Sequence, residues 1–171
     1  MDTALGAVLP TLGLTEGAAL GLGFRRYTNV KTPAAGALFT LTFDGSEVWR
    51  VATLMFRLQT SAAVANRNLA LQYVNEDAAV VAEVPLPASV AASLTTLVSF
   101  QVNQASTFQG ANGDFCVGLP DILLPGGYTI QMVAAGFQAA DQIDRITMVH
   151  EAYPHGHLGY PTGTNYLRSG A

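Results

Sequence analysis

Charge is what this sequence lacks most. Only 12% of its 171 residues are Asp, Glu, Lys or Arg, against roughly a quarter in an ordinary soluble domain. A surface so poor in charge must be covered by Thr, Ser, Asn, Gln, Ala and Gly, and such surfaces suit burial against neighbouring molecules. The eight basic and twelve acidic residues leave a formal charge of −4, with no run of one sign. Direct nucleic-acid binding needs clustered Lys and Arg to neutralise phosphates, so no nucleic-acid partner is expected.

Cysteine is almost absent. The lone Cys116 excludes an intrachain disulfide and a Cys-based zinc site. Within Asp114-Phe115-Cys116-Val117 it reads as a buried, inert thiol. Catalytic signatures are missing too: there is no Gly-x-Ser-x-Gly elbow, P-loop, HExxH or EF-hand pattern. Asp141 and Asp144, with Asp121 elsewhere, are the carboxylates to weigh for hydrolysis, which needs one raised and one ordinary pKa. Asp141-Gln142-Ile143-Asp144 reads better as the polar loop that starts the last strand. No enzymatic activity and no cofactor are expected.

His155-Gly156-His157, with His150 and Glu151 nearby, is the one grouping that resembles a metal site, because alternate residues of an extended chain put both imidazoles on one side. No third ligand stands at a standard spacing. The segment reads as a Gly-rich turn with exposed or interface histidines, and whether His155 and His157 hold a metal is left open.

One apolar stretch, Ala4 to Phe24, is long enough to consider as a membrane span, but it contains Pro10, Glu16 and five glycines. It lacks a basic n-region, and Arg25 and Arg26 lie on the wrong side for a signal peptide. A spanning helix would carry too many breakers and an unpaired carboxylate, so a soluble, unprocessed chain without a membrane partner is expected. Small apolar residues alternating with Gly (Leu12-Gly13-Leu14, Leu20-Gly21-Leu22-Gly23) support neither a strong helix nor a packed hairpin. Residues 1–23 therefore read as an extended arm.

From Ala37 onward, what is present is β-chemistry. Leu38 to Phe43, Val48 to Thr60, Leu69 to Val74, Ala79 to Val84, Leu97 to Val102, Phe115 to Leu119, Tyr128 to Val133 and Ile143 to Val149 are short β-rich runs. They are separated by turns at Asn75-Glu76-Asp77, Gly110 to Gly113 and Pro125-Gly126-Gly127. Asp44-Gly45-Ser46 between two such runs predicts a hairpin. Leu54, Phe56 and Leu58 fall on one face, while Thr53, Arg57 and Gln59 fall largely on the other. Pro85 and Pro87 mark the end of a strand. Val90 to Leu97 is the only candidate for a helical turn, and reads equally as a loop.

These runs predict an all-β, antiparallel β-sandwich of about eight strands. The sandwich is expected over residues 24–153, with a second, irregular arm at 154–171. Most aromatics lie in the strand runs and read as core. Each buried Leu or Val is worth roughly 1.5–3 kcal/mol, so arms this apolar are expected to lie on their own domain or on a neighbour. Leu5, Val8, Leu9, Leu12, Leu14, Leu20, Leu22, Tyr160, Tyr166 and Leu167 are the candidate interface residues.

Glu47-Val48-Trp49-Arg50-Val51, followed by Leu58 to Gln72 with its Thr60-Ser61…Ala65-Asn66-Arg67 turn, resembles a pattern of small bacteriophage virion proteins. Leu123 to Ile130 and Ala140 to Ile146 resemble the closing strands of the same group. The resemblance covers roughly residues 36–153. It implies a jelly-roll-like subunit that decorates or cements a phage head, with the major capsid protein and its own copies, as a homotrimer, for partners. The location it implies is the virion, assembled in the host cytoplasm. The alternatives are a receptor- or glycan-binding knob, with Phe108-Gln109-Gly110-Ala111-Asn112 as its best loop, a head-completion or tail component, and a small hydrolase.

Overall fold

The protein is described from a computed structural model over residues 24–43, 45, 47–109 and 113–154. Eleven strands make up these residues: β1 (Phe24–Asn29), β2 (Thr40–Thr42), β3 (Glu47–Gln59), β4 (Asn68–Val74), β5 (Val80–Pro85), β6 (Thr95–Val102), β7 (Thr107–Gln109), β8 (Asp114–Leu119), β9 (Leu123–Leu124), β10 (Thr129–Ala135) and β11 (Gln142–Pro154).

The pairing is nested. β1 pairs with β11, β2 with β10, β3 with β6 and β4 with β5, all antiparallel. Two further antiparallel pairs, β11 with β3 and β10 with β4, close the arrangement. The result is a sheet of order β1-β11-β3-β6 facing one of order β2-β10-β4-β5, which is the double Greek key of a jelly roll. The stretch between β6 and β10 extends the first sheet: β8 runs parallel to β6, β7 lies outside β8, and β9 pairs with the start of β3.

The core follows from strand periodicity. Leu54, Phe56 and Leu58 of β3 are fully buried, as expected, and meet Val98 and Phe100 of β6 and Val117 of β8. From the smaller sheet come Leu71 and Tyr73 of β4 and Ile130 and Met132 of β10. Phe39 meets Phe56 edge-on at 5.6 Å.

Several local expectations are corrected. Asp44-Gly45-Ser46 does not close a hairpin: β2 and β3 belong to different sheets, so the chain crosses the sandwich there. Phe43 N–H donates to Tyr128 O and Phe43 O accepts from Gly127 N–H, committing β2 to the β10 side. Of the two readings open for residues 90–97, the loop holds for 91–94, with Val90 bridging Arg67 and β6 beginning at Thr95. Cys116 is half-buried rather than buried, because it sits one residue out of phase with the inward Phe115 and Val117. Strands β1 and β7 fall outside the β-rich runs of the sequence, and β9 lies in the Leu123 to Ile130 segment.

Phe56 is wholly buried between the sheets, so truncation leaves a cavity that neither sheet can fill. Phe56→Ala is expected to cost about 3–5 kcal/mol, measured as the shift in urea-unfolding free energy.

Candidate functional site

Asp141 and Asp144 do not act as a pair. Asp141, expected in a polar loop, is fully buried with Arg67. Arg67 Nε donates to Asp141 Oδ2 at 2.9 Å and Nη2 donates to Oδ1 at 3.0 Å. Ser61 N–H and Oγ also donate to Oδ1, at 2.7 and 2.8 Å, and Gln138 N–H donates to Oδ2 at 2.7 Å. The remaining Arg67 donors reach Ala65 O and Ser61. Burial pushes the Asp141 carboxyl up, but Arg67 and the Ser61 and Gln138 hydrogen bonds outweigh it and hold the group well below the usual carboxylate range. Such a group is no general base at neutral pH.

This hub ties together four loops at one end of the sandwich. Gly36 N–H donates to Asp141 O at 2.8 Å, Arg67 and Val90 exchange two backbone bonds of 3.0 Å, and Thr60 Oγ1 donates to Ala91 O at 2.8 Å. Gly136 is required beside it. Its φ is +75°, and a Cβ there would stand 2.2 Å from Asn66 O.

The two outer faces differ in charge. On the outer face of the larger sheet, Arg50 meets Asp121 at 2.6 Å and Glu151 at 3.0 Å, and Arg57 meets Asp144, while Arg26, on the side of β1 shared with His150, meets Glu47 at 2.7 Å. Hydrogen bonds from Arg57 are the main cause of the lowered Asp144 pKa, so this carboxylate is also spoken for. The smaller sheet turns Thr40, Thr42, Thr129, Gln131, Val133, Ala70, Gln72 and Pro85 outward. Its single outward carboxylate, Glu83, accepts from Gln72, which in turn accepts from Gln131. A groove of about 530 Å³ lies at one end of this face, between the end of β10 and residues 85–89. At the free edge, Val80 and Val81 of β5 are 51% and 46% exposed.

His150 and Glu151 point to opposite faces of β11 and share no site. Glu151 accepts from Arg50 and Tyr153. His150 is buried and stacked on Trp49, with ring centroids 3.9 Å apart and planes 1° from parallel. Neither imidazole nitrogen has a hydrogen-bond partner, nor has Trp49 Nε1. Burial, assisted by the charge of Arg26 on the neighbouring strand, lowers the His150 pKa to about 4. No group of three or more possible metal ligands occurs among the described residues.

Leu5, Val8, Leu9, Leu12, Leu14, Leu20, Leu22, His155, His157, Tyr160, Tyr166 and Leu167 lie outside the described residues, as do Gly110, Ala111 and Asn112 of the candidate glycan loop. The hub was missed because its partners stand 74 positions apart, and no local spacing connects them.

No protein-family profile matches the chain, and no curated protein does. Among solved structures, the chain is similar to one from infectious bursal disease virus Gx strain, with a TM-score of 0.34 and 11% identity over 81% of this chain and 32% of that one. It is also similar to a chain of the T13 IBDV viral particle (TM-score 0.36, 10% identity, 79% of this chain and 30% of that one). A third is from infectious bursal disease virus Gt strain (TM-score 0.32, 12% identity, 81% and 32%). This chain spans about a third of the length of those chains. At such scores the jelly-roll assignment rests on the strand pairings.

Asp141→Asn leaves Arg67 buried without its counter-charge and is expected to cost about 3–5 kcal/mol, read from urea unfolding at pH 7.

The His150 stack gives a separate pH signature. The unfolded chain binds the proton more tightly than the folded one, so the contribution is fully present above pH 6.5 and is lost as pH falls toward 4. The loss amounts to roughly 3 kcal/mol at most. His150→Phe keeps a ring against Trp49 and removes both unpartnered nitrogens. Its urea midpoint is expected to stay flat between pH 6.5 and 5, where that of the wild type declines; an unchanged decline rules out the stack as its source.

Proposed function

We propose that the chain is a structural subunit of a virus particle, a decoration or cement subunit of a bacteriophage head. It works by protein–protein contact with the major capsid protein and with its own copies in a homotrimer. The observation that carries this reading is the division of the surface. The Arg–carboxylate pairs gather around the larger sheet and neutralise one another, while the outer face of the smaller sheet offers a grooved surface with one carboxylate. Low charge with apolar relief is the character of a surface meant to be covered.

The ends of the domain suit the same role. β1 begins and β11 ends at the same end of the larger sheet, Phe24 pairing with Ala152. The apolar segment 1–23 and the Gly- and Tyr-containing segment 155–171 are therefore attached side by side, opposite the Arg67–Asp141 end. A clamp anchored at neighbouring points gains from effective concentration even when each contact is weak. A jelly roll by itself hosts many functions. The resemblance over residues 36–153 is what directs the reading to phage heads.

The test is the mass of the purified protein by light scattering, with and without assembled heads that lack it. A trimer that saturates heads at fixed stoichiometry is expected. Deleting residues 1–23 is expected to leave a cooperatively melting domain with at least tenfold weaker head binding. A deletion that abolishes folding would place the segment in the core and defeat the clamp.

A further inference from the structure

The groove on the smaller sheet has a definite chemistry. Its walls are Ala70, Pro85, Pro87, Val133 and Ala135. Two of its polar side chains are already engaged with each other, Ser89 Oγ donating to Asn68 Oδ1 at 2.5 Å, and Glu83 accepts from Gln72. Nothing there asks for a polar ligand. An occupant has to be apolar, extended enough to follow a sheet edge, and free of negative charge beside Glu83.

Size selects among occupants. Strands of three, seven, seven and six residues, about 4.8 Å apart and rising about 3.3 Å per residue, make a face of roughly 360 Å². A stable pair of folded surfaces needs about 800 Å² from each partner, so flat docking of a second sandwich on this face falls short. A segment laid into the groove does not have that requirement, because walls on either side cover it.

The same sequence contains such a segment. Between Asp2 and Glu16 the chain carries no charge and holds Leu5, Val8, Leu9, Leu12 and Leu14. The 23 residues that precede β1 reach at most about 80 Å when extended, well beyond the width of one sandwich. They join the domain at β1, the outermost strand of the larger sheet. The groove belongs to the other sheet, beside β5, which meets β8 rather than β1. Attachment point and groove are thus different patches of the molecule.

We infer that the groove between the end of β10 and Pro85–Ser89 is the seat for a stretch within residues 4–14 of a neighbouring copy that includes Leu12 and Leu14. The inference rests on the assembly role proposed above and names the partner for one of its surfaces. A contact between two unlike patches is heterologous, and a heterologous contact closes into a ring when the rotation allows. The trimer is then held by three identical arm-in-groove joints.

Two complementary variants test it in the full-length chain. Leu12→Asp with Leu14→Asp spoils the segment and leaves the groove intact. Ala135→Glu, at an exposed rim position, spoils the groove and leaves the segment intact, with Val133→Glu as a second groove variant. The circular dichroism spectrum of Ala135→Glu is expected to match the wild type and its melt to stay cooperative, at a midpoint lowered by loss of the trimer. By light scattering, the wild type is expected to be a trimer and each variant alone a monomer. An equal mixture of a segment variant and a groove variant is expected to form a dimer, since one good segment then meets one good groove. A monomeric wild type, a variant that keeps the trimer mass, or a mixture that stays monomeric each overturns the inference. Head binding is read separately: restored dimers with no affinity for heads would sink the phage role alone, and head binding without complementation would sink the seat alone.

Discussion

Asp141 is a carboxylate without access to water, and one end of the jelly roll is organised around satisfying it. Its two side-chain oxygens take five hydrogen bonds, from Arg67, Ser61 and Gln138. Those donors come from the β3–β4 connection and from the turn before β11, and the Asp141 carbonyl holds the β1–β2 connection through Gly36. The β5–β6 connection is tied to Arg67 through Val90. A buried ion pair is a poor source of net stability compared with a well-packed apolar group, but one that is incompletely formed is costly. The four connections are therefore coupled: the β3–β4 and β10–β11 connections share the ion pair, and the β1–β2 and β5–β6 connections are hydrogen-bonded to the backbone of its two members.

That coupling bears on how the rest of the surface is used. With one end fixed, the two sheets act as a rigid frame, and the chain ends are attached at the opposite end. The ion pairs around the larger sheet are partly exposed, and such pairs each contribute little to stability. Their more important effect is on recognition, since Arg26, Arg50 and Arg57 are taken up by carboxylates of the same molecule. A face neutralised internally attracts no charged partner strongly, and the grooved, nearly uncharged face of the smaller sheet is left as the one suited to dry contact.

What the sequence makes legible follows from the range of the interactions involved. The inward face of β3 could be read from Leu54, Phe56 and Leu58 because side-chain alternation is a local property. Pro85 could be read as a strand end for the same kind of reason: it has no N–H to offer and closes an edge strand. Asp44-Gly45 misled because a turn signal specifies a reversal of the chain and says nothing about which strand lies alongside; here the nested order gives β2 to β10 and β3 to β11. β1 was hidden because it opens with Phe24-Arg25-Arg26, and its arginines face partners, Glu151 and Glu47, that only the fold brings near. The groove was illegible for a different reason: Ala70, Val133 and Ala135 are residue types that fit a core, a loop or a surface, and only the pairing register turns them outward.

The Trp49–His150 stack shows what the fold does with a group that matches none of these local rules. Strand alternation, unbroken along β11 from Ile146 to Ala152, points the imidazole inward while Glu151 stays outside; the register shift beside it falls on β3, where Ala52 is the extra residue. Inside, it finds the flat face of Trp49 but no hydrogen-bond partner, and Arg26 lies directly across on β1. A neutral imidazole tolerates this environment; an imidazolium does not, since burial and a neighbouring cation both oppose the charge. β1 pairs with β11 alone, so the strand that attaches the first apolar segment lies directly beside His150, where protonation would bury a charge. The two ends of the sandwich are thus built on opposite terms: one on a buried ion pair with every nitrogen of Arg67 engaged, the other on a buried imidazole without a partner beside an edge strand.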